Sequence, residues 1–313
     1  MKLLTSTIYD DVFRTLLNDC SALIIPVINE LFNENYSGNE FIEFRPNEHF
    51  INQQDGNEDK RITDTYFIIH GLFKKGYHLE CQSSDDGSLL VRIFEYDSQI
   101  ALDEGVLENN TLRVKFPNSA VLFLRSSSVT PDRMNIVVEF PNGSFRYEIP
   151  AMKVQDYSLE QIFNKGLLFL LPFYIFSHQK HFREYERDES KLNSLLDEYK
   201  IISQRLDDLV KDGTISEYIK CTIHDMTGRV VEQLAKNYSG IREGVKDIMV
   251  GKILDYEAKD ILKMGIAEGI SKGIAKGELS MLLKLVRNKL LSLADASRMA
   301  DLTEEEFSRL SEN

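Results

Sequence analysis

The sequence predicts a mixed α/β domain followed by an all-helical C-terminal region. Three observations carry this: helical apolar spacing in the first thirty residues, short strand-like segments around one amphipathic helix between 41 and 149, and no strand-like alternation after 178.

Val12, Phe13, Leu16, Leu17, Leu23, Ile24, Val27, Ile28, Leu31 and Phe32 recur at mainly helical spacing over residues 10–32, with Pro26 expected to kink or divide the helix. Residues 41–51, 61–70 and 77–83 are rich in aromatic and β-branched side chains. Gly56 and Asn57, then residues 71–76, separate them, so they read as consecutive strands. Leu89, Leu90, Ile93, Phe94, Ile100 and Ala101 predict a helix over 88–104, ending near Gly105. Strands follow at 120–125 and 135–140, the second turning at Pro141, Asn142 and Gly143 into a strand over 144–149. Ser158 and Gln161 form a capping signature that opens an apolar helix running through Phe176.

Beyond 178 the pattern is helical. Leu192, Leu195, Tyr199, Ile202, Leu206 and Leu209 alternate spacings of three and four, which suits a coiled-coil seam or an intramolecular helical hairpin. Gly265, Gly269, Gly273 and Gly277 recur at every fourth position. Each costs a helix about 0.8–1.0 kcal/mol relative to alanine, so either a close dimer seam compensates them or the segment is a flexible linker. The tail, 291–310, has a capping box at Thr303 and Glu306 and the spacing of a helix-turn-helix. Its acidic residues suit a bundle cap better than a DNA reader. The expected divisions are 1–178, 179–260 and 261–313, with a homo-oligomer formed through the C-terminal helices.

With 42% hydrophobic residues in 313, the chain can bury a substantial core. Its net charge is −13, and residues 1–150 hold 13 Lys and Arg against 23 Asp and Glu. Broad electrostatic attraction to nucleic acid or an anionic membrane is thereby excluded, and any contact with DNA must be local. Residues 251–290, with eight Lys and Arg against five Asp and Glu, are a local basic excess that suits either DNA or a solvated helix face. Cys20, Cys81 and Cys221 lie far apart without metal-knuckle spacing, which argues against a zinc knuckle or a disulfide framework. Asp10 and Asp11 arrive too early for a secretory signal, and the apolar run at 167–176 is shorter than the ~20 residues of a bilayer span. A cytoplasmic protein with no membrane segment is expected.

Chemistry concentrates around residues 64–97. Glu80 and Gln82, two apart on a strand, project from one face and Cys81 from the other. Asp64 lies on the preceding strand; pairing of the two strands brings the carboxylates together. Two carboxylates and a backbone carbonyl suit a hard divalent cation, with positions left for water and a phosphate oxygen. Arg92 suits either a phosphate contact or a surface pair with Glu95 or Tyr96. Glu48 and His49 are accessory candidates for a ligand or base. His178 and His181 lack an evident third ligand and are expected to be solvated.

The order helix, three strands, Asp64, then Glu80-Cys81-Gln82 and a helix reading Arg92-Ile-Phe-Glu95-Tyr96-Asp97 resembles the recombination-promoting nuclease and transposase-like family of the PD-(D/E)XK nuclease superfamily. The likeness extends to the opening at Tyr9, the strand at 117–124, the apolar helix near 170 and the glycine repeat, and so covers most of the chain. It implies a restriction-endonuclease-like mixed sheet flanked by helices. It also implies catalytic Asp64, Glu80 and Gln82, with a metal on Asp64, Glu80 and the Cys81 carbonyl. Glu48, Arg92, Glu95 and Tyr96 would be accessory residues. The cation would be Mg²⁺, or else Mn²⁺ or Ca²⁺. The function implied is a metal-dependent DNA endonuclease serving recombination or mobile-element processing. Glutamine replaces the superfamily's lysine at position 82, as is usual in this branch; it can hydrogen-bond but carries no charge. The alternative is a catalytically weak or inactive nuclease fold serving as an oligomeric binding or scaffold protein.

Overall fold

The computed structural model describes residues 7–45, 48–52, 58–62, 65–83, 87–249, 286 and 291–299, with backbone alone for 48–52, 58–62 and 299. Thr7 caps helix α1, Ile8–Asp19, by accepting from the Asp10 amide while the Asp10 carboxylate accepts from the Thr7 amide, which satisfies two amides left over at a helix start. α1 buries Val12, Phe13, Leu16 and Leu17. The expected break at Pro26 falls earlier, at Cys20, where a 3₁₀ turn, Ser21–Leu23, leads into α2, Ile24–Phe32. Pro26 sits in the first turn of α2, where its missing N–H costs nothing.

The strands are more finely divided than the sequence pattern suggests. They are β1 (Phe41–Phe44), β2 (Glu48–Asn52), β3 (Glu58–Ile62), β4 (Thr65–His70) and β5 (Lys74–Gln82), with β2 and β3 pairing as a separate hairpin. Helix α3 spans Leu89–Asp103, close to expectation. After it comes a hairpin absent from the sequence reading, β6 (Val106–Glu108) and β7 (Thr111–Arg113). Asn109 and Asn110 close it with φ of 45° and 63°, the left-handed pair that matches strand twist in a two-residue turn. β8 (Asn118–Phe123), β9 (Arg133–Phe140) and β10 (Gly143–Lys153) complete the set.

The main sheet is mixed, in the order β1-β4-β5-β8-β10-β9. β8 runs parallel to both β5 and β10, and the remaining pairs are antiparallel. α3 covers one face, where Leu89 and Ile93 join Val121, Phe123 and Ile149, and Ile100 meets Tyr66 and Ile68. On the other face Tyr77 of β5 meets Phe32 of α2, ring centroids 5.3 Å apart. The sheet thus lies between helices, and alternate residues of β5 look toward α3.

Ser158 and Gln161 do form a capping box, on α4, Leu159–Asn164. The helix expected to run on through Phe176 stops instead, Gly166 turning at φ 68°, and Leu168–His181 forms a 3₁₀ segment with Pro172 inside. Three-residue turns accommodate a residue without an N–H at the centre of a wholly buried apolar run. Four helices follow: α5 (Phe182–Tyr185), α6 (Glu189–Lys211), α7 (Glu217–Leu234) and α8 (Ser239–Met249). α6 buries Leu195, Tyr199, Ile202 and Leu206 and packs on α7 and α8 of the same chain.

The chain divides into two compact units, Met1–Ile253 and Leu254–Asn313. Within the first, α1 and the 3₁₀ segment pack against α7, so the sheet and the helices after 178 share one unit. In the second, the short helix α9 spans Leu293–Met299. The glycine repeat and the Thr303–Glu306 signature lie outside the described residues. Among the described residues no single helix is long and apolar enough to cross a membrane. α1 and the segment Ser21–Phe32 reach that length only together, across a 107° bend.

Candidate functional site

The sheet register assembles the site. On β5, His78, Glu80 and Gln82 alternate with Leu79 and Cys81, so the three polar side chains share the face toward α3 while Cys81 is buried on the other. His78 stands opposite Ser119 of β8, and Glu80 opposite Val121. Thr65, the first described residue of β4, pairs with Leu79, the residue before Glu80. Asp64 lies outside the described residues. Glu48 is opposite Ile62 in the β2–β3 hairpin, where the backbone alone is described.

α3 supplies the remaining groups. Arg92 donates from Nη2 to Glu80 Oε2 and to Gln82 Oε1, at 3.2 Å each. Arg92 thus reaches inward to the polar face of β5. Tyr96 is buried with its ring edge-on to the His78 imidazole, centroids 6.0 Å apart, while Glu95 is exposed. Asp97 is completely buried. Its Oδ1 accepts from His78 Nδ1 at 2.7 Å and from the Ser119 hydroxyl at 2.7 Å. A carboxylate only accepts, so this bond places a proton on Nδ1 and fixes the ring.

His78 Nε2 is buried and makes no hydrogen bond within the described structure; it faces Glu80 Oε1 at 3.6 Å, an ion-pair distance too long for a hydrogen bond. Glu80 itself is 2% exposed and His78 fully enclosed. Four ionisable groups thus meet under α3: two carboxylates, an imidazole and a guanidinium. A buried charge is tolerated only when compensated, and with His78 protonated the four sum to zero. Burial works against the charged imidazole, but Asp97 and then Glu80 outweigh it and raise His78 to about 9. Burial likewise opposes the Glu80 charge, yet His78 and Arg92 hold its carboxyl below the usual range.

His78, Asp97 and Ser119 were given no role from sequence. Two of them carried a signal. His78 shares the strand parity of Glu80, and Asp97 falls in the Ile93–Ile100 stripe of α3, where an acidic residue has no place unless it is partnered. Ser119 carried none. His178, expected to be solvated, is instead packed between the Tyr185 hydroxyl at 2.9 Å and Glu198 at 3.2 Å, because Leu168–His181 folds under α6.

On the same face of the sheet a cavity of about 600 Å³ opens at the Gly76 end of β5 and the Ile100–Glu104 end of α3; His78, Glu80, Gln82 and Arg92 do not line it. Tyr66, in register with His78, and Ile68, in register with Gly76, form part of its wall, with Arg45, Lys74 and Lys115 as its cations. Asp103 and Glu104 also line it, but Glu104 accepts the Tyr66 hydroxyl at 2.7 Å. Among the described residues no group of three His, Cys, Asp or Glu side chains converges as a ready metal cage. Two donors do point at one another, His78 Nε2 and Glu80 Oε1, with Glu80 Oε2 neutralised by Arg92.

Comparison with family models, curated proteins and solved structures finds no match.

Proposed function

We propose that the chain is a metal-dependent phosphodiesterase acting on DNA, a nuclease of restriction-endonuclease-like architecture, with Glu80 at the centre of its site. The observation that carries this reading is the sealed, charge-bearing face of β5. An isolated structural acid is usually left at the surface or paired once. Glu80 is instead buried with Gln82, Arg92 and His78 around it. Asp64, directly before Thr65 in the chain, is the proposed second acidic ligand, with the Cys81 carbonyl as a third. Mg²⁺ or Mn²⁺ is the expected cation.

A divalent cation bound there would polarise the phosphoryl group and lower the pKa of an attacking water. Glu80 contributes charge, held ionised by its neighbours. Arg92 keeps that carboxylate aimed and, being 14% exposed, is the guanidinium a phosphate would meet first. Gln82 orients by hydrogen bonding without acting as a base. Arg45, Lys74 and Lys115, which line the cavity further along the same sheet face, would give a DNA backbone local positive contacts despite the −13 charge of the chain. A place in recombination or mobile-element processing, and an oligomer through the C-terminal helices, belong to the same proposal.

One observation favours a second reading, a nuclease fold kept for binding: Arg92 already neutralises Glu80, and Gln82 supplies no charge. Incubation of supercoiled plasmid with the protein and Mg²⁺ or Mn²⁺ separates the two. Nicking that falls about 100-fold or more in Glu80→Gln, the scale of losing a key electrostatic group, supports the enzyme. Nicking equal in wild type and variant, or absent from both, removes it.

A further inference from the structure

We propose that His78 is a ligand, through Nε2, of the divalent cation proposed at Glu80, on which reading the assignment rests. Asp97 and Ser119 support the ring, so that the site selects a first-row transition ion over Mg²⁺ or Ca²⁺.

Two features of the cluster converge on this assignment. The first is the unused nitrogen. Nε2 belongs to a fully buried ring, makes no hydrogen bond among the described residues, and is aimed at an oxygen of a buried carboxylate 3.6 Å away. Nitrogen and oxygen donors sit about 2.0–2.2 Å from Zn²⁺, so two that share an ion lie roughly 3.0–3.5 Å apart. The gap between Nε2 and Glu80 Oε1 is close to that span.

The second is the orientation of the ring. Metal-bound imidazoles characteristically donate their other N–H to a carboxylate, which fixes the tautomer and makes the free nitrogen a better donor. His78 Nδ1 does this to Asp97 at 2.7 Å, and the Ser119 hydroxyl holds the same Asp97 oxygen at 2.7 Å. Tyr96 packs edge-on against the ring.

The selectivity follows from ligand chemistry. Mg²⁺ and Ca²⁺ take oxygen donors and gain little from imidazole, whereas Mn²⁺ and Zn²⁺ accept nitrogen. The competing occupant of the gap is a proton on Nε2 that pairs with Glu80.

Mn²⁺ serves as the probe, added to the chelator-stripped full-length protein and followed by pulsed electron paramagnetic resonance. The expected spectrum shows nitrogen coupling from a bound imidazole, lost in His78→Gln together with at least ten-fold in Mn²⁺ affinity, while Mg²⁺ affinity changes little. Ser119→Ala keeps the ring but weakens its support and is expected to lower Mn²⁺ affinity about ten-fold; this variant stands in if His78→Gln does not fold. Mn²⁺ bound without nitrogen coupling, coupling that survives His78→Gln, or Ser119→Ala indistinguishable from wild type overturns the assignment and leaves the metal reading standing. Failure of the wild type to bind either Mn²⁺ or Mg²⁺ overturns both.

Discussion

Two histidines, His78 under α3 and His178 under α6, are each held by carboxylates, and the difference between them separates chemistry from joinery. His178 is 14% exposed in its side chain and meets one carboxylate, Glu198, which is itself 34% exposed. His78 is enclosed between two carboxylates that are almost wholly buried, with a guanidinium beyond the second. The first arrangement pins the 3₁₀ segment to a helix with little charge taken out of water. The second holds four ionisable groups inside a protein, an expensive construction when apolar residues of similar volume would serve stability as well or better. Its presence is what directs attention to function.

The largest expected effect breaks the buried cluster. Asp97→Ala leaves His78 and Ser119 without their acceptor, and removing one partner from a buried pair costs about 3–5 kcal/mol; urea unfolding followed by circular dichroism measures it. A loss under about 1 kcal/mol, the scale of an exposed pair, would make the two histidines equivalent and dissolve the contrast.

Next in size is a pH dependence. His78 rises from its ordinary 6.5 to about 9 in the fold. Its stabilisation is therefore fully present below pH 6.5 and is lost as pH climbs through 9, on the order of 3 kcal/mol in all. Glu80, whose carboxyl is held low, adds a separate loss as pH falls through its folded value. Unfolding in the presence of chelator should show decreasing stability across that upper window, and His78→Gln should flatten it. A slope unchanged by the substitution would assign the effect elsewhere.

The smallest effect belongs to the other histidine. Glu198→Gln removes a charge from a partly solvated pair, worth about 0–1 kcal/mol. A cost near that of Asp97→Ala would show that partial exposure does not distinguish the clusters.

Much of the β5–α3 layout was legible because it rests on two periodicities. Strand alternation put Glu80 and Gln82 on one face, and the 3.6-residue repeat marked α3 to within a residue of its ends. Burial hid what lay elsewhere. Leu168–His181 is apolar and enclosed on every side through Phe176, so no exposed face revealed whether its period was three or nearer four. The β6–β7 hairpin failed for the opposite reason: its strands are exposed at every residue and show no alternation, leaving Asn109 and Asn110 as the one clue. Pro26 was overread, since a proline breaks a helix according to where it falls in it. Ser119 became part of the site through a register that only the fold fixes, the parallel pairing of β5 with β8.

The contrast between the two histidines is tested most directly by one nicking assay with two matched substitutions, Glu80→Gln and Glu198→Gln, on supercoiled plasmid with Mn²⁺ or Mg²⁺. Each replaces a histidine-paired carboxylate by its neutral isostere. Wild type and Glu198→Gln are expected to nick at similar rates while Glu80→Gln loses about 100-fold or more. Equal rates for all three proteins would contradict a catalytic role for the buried cluster.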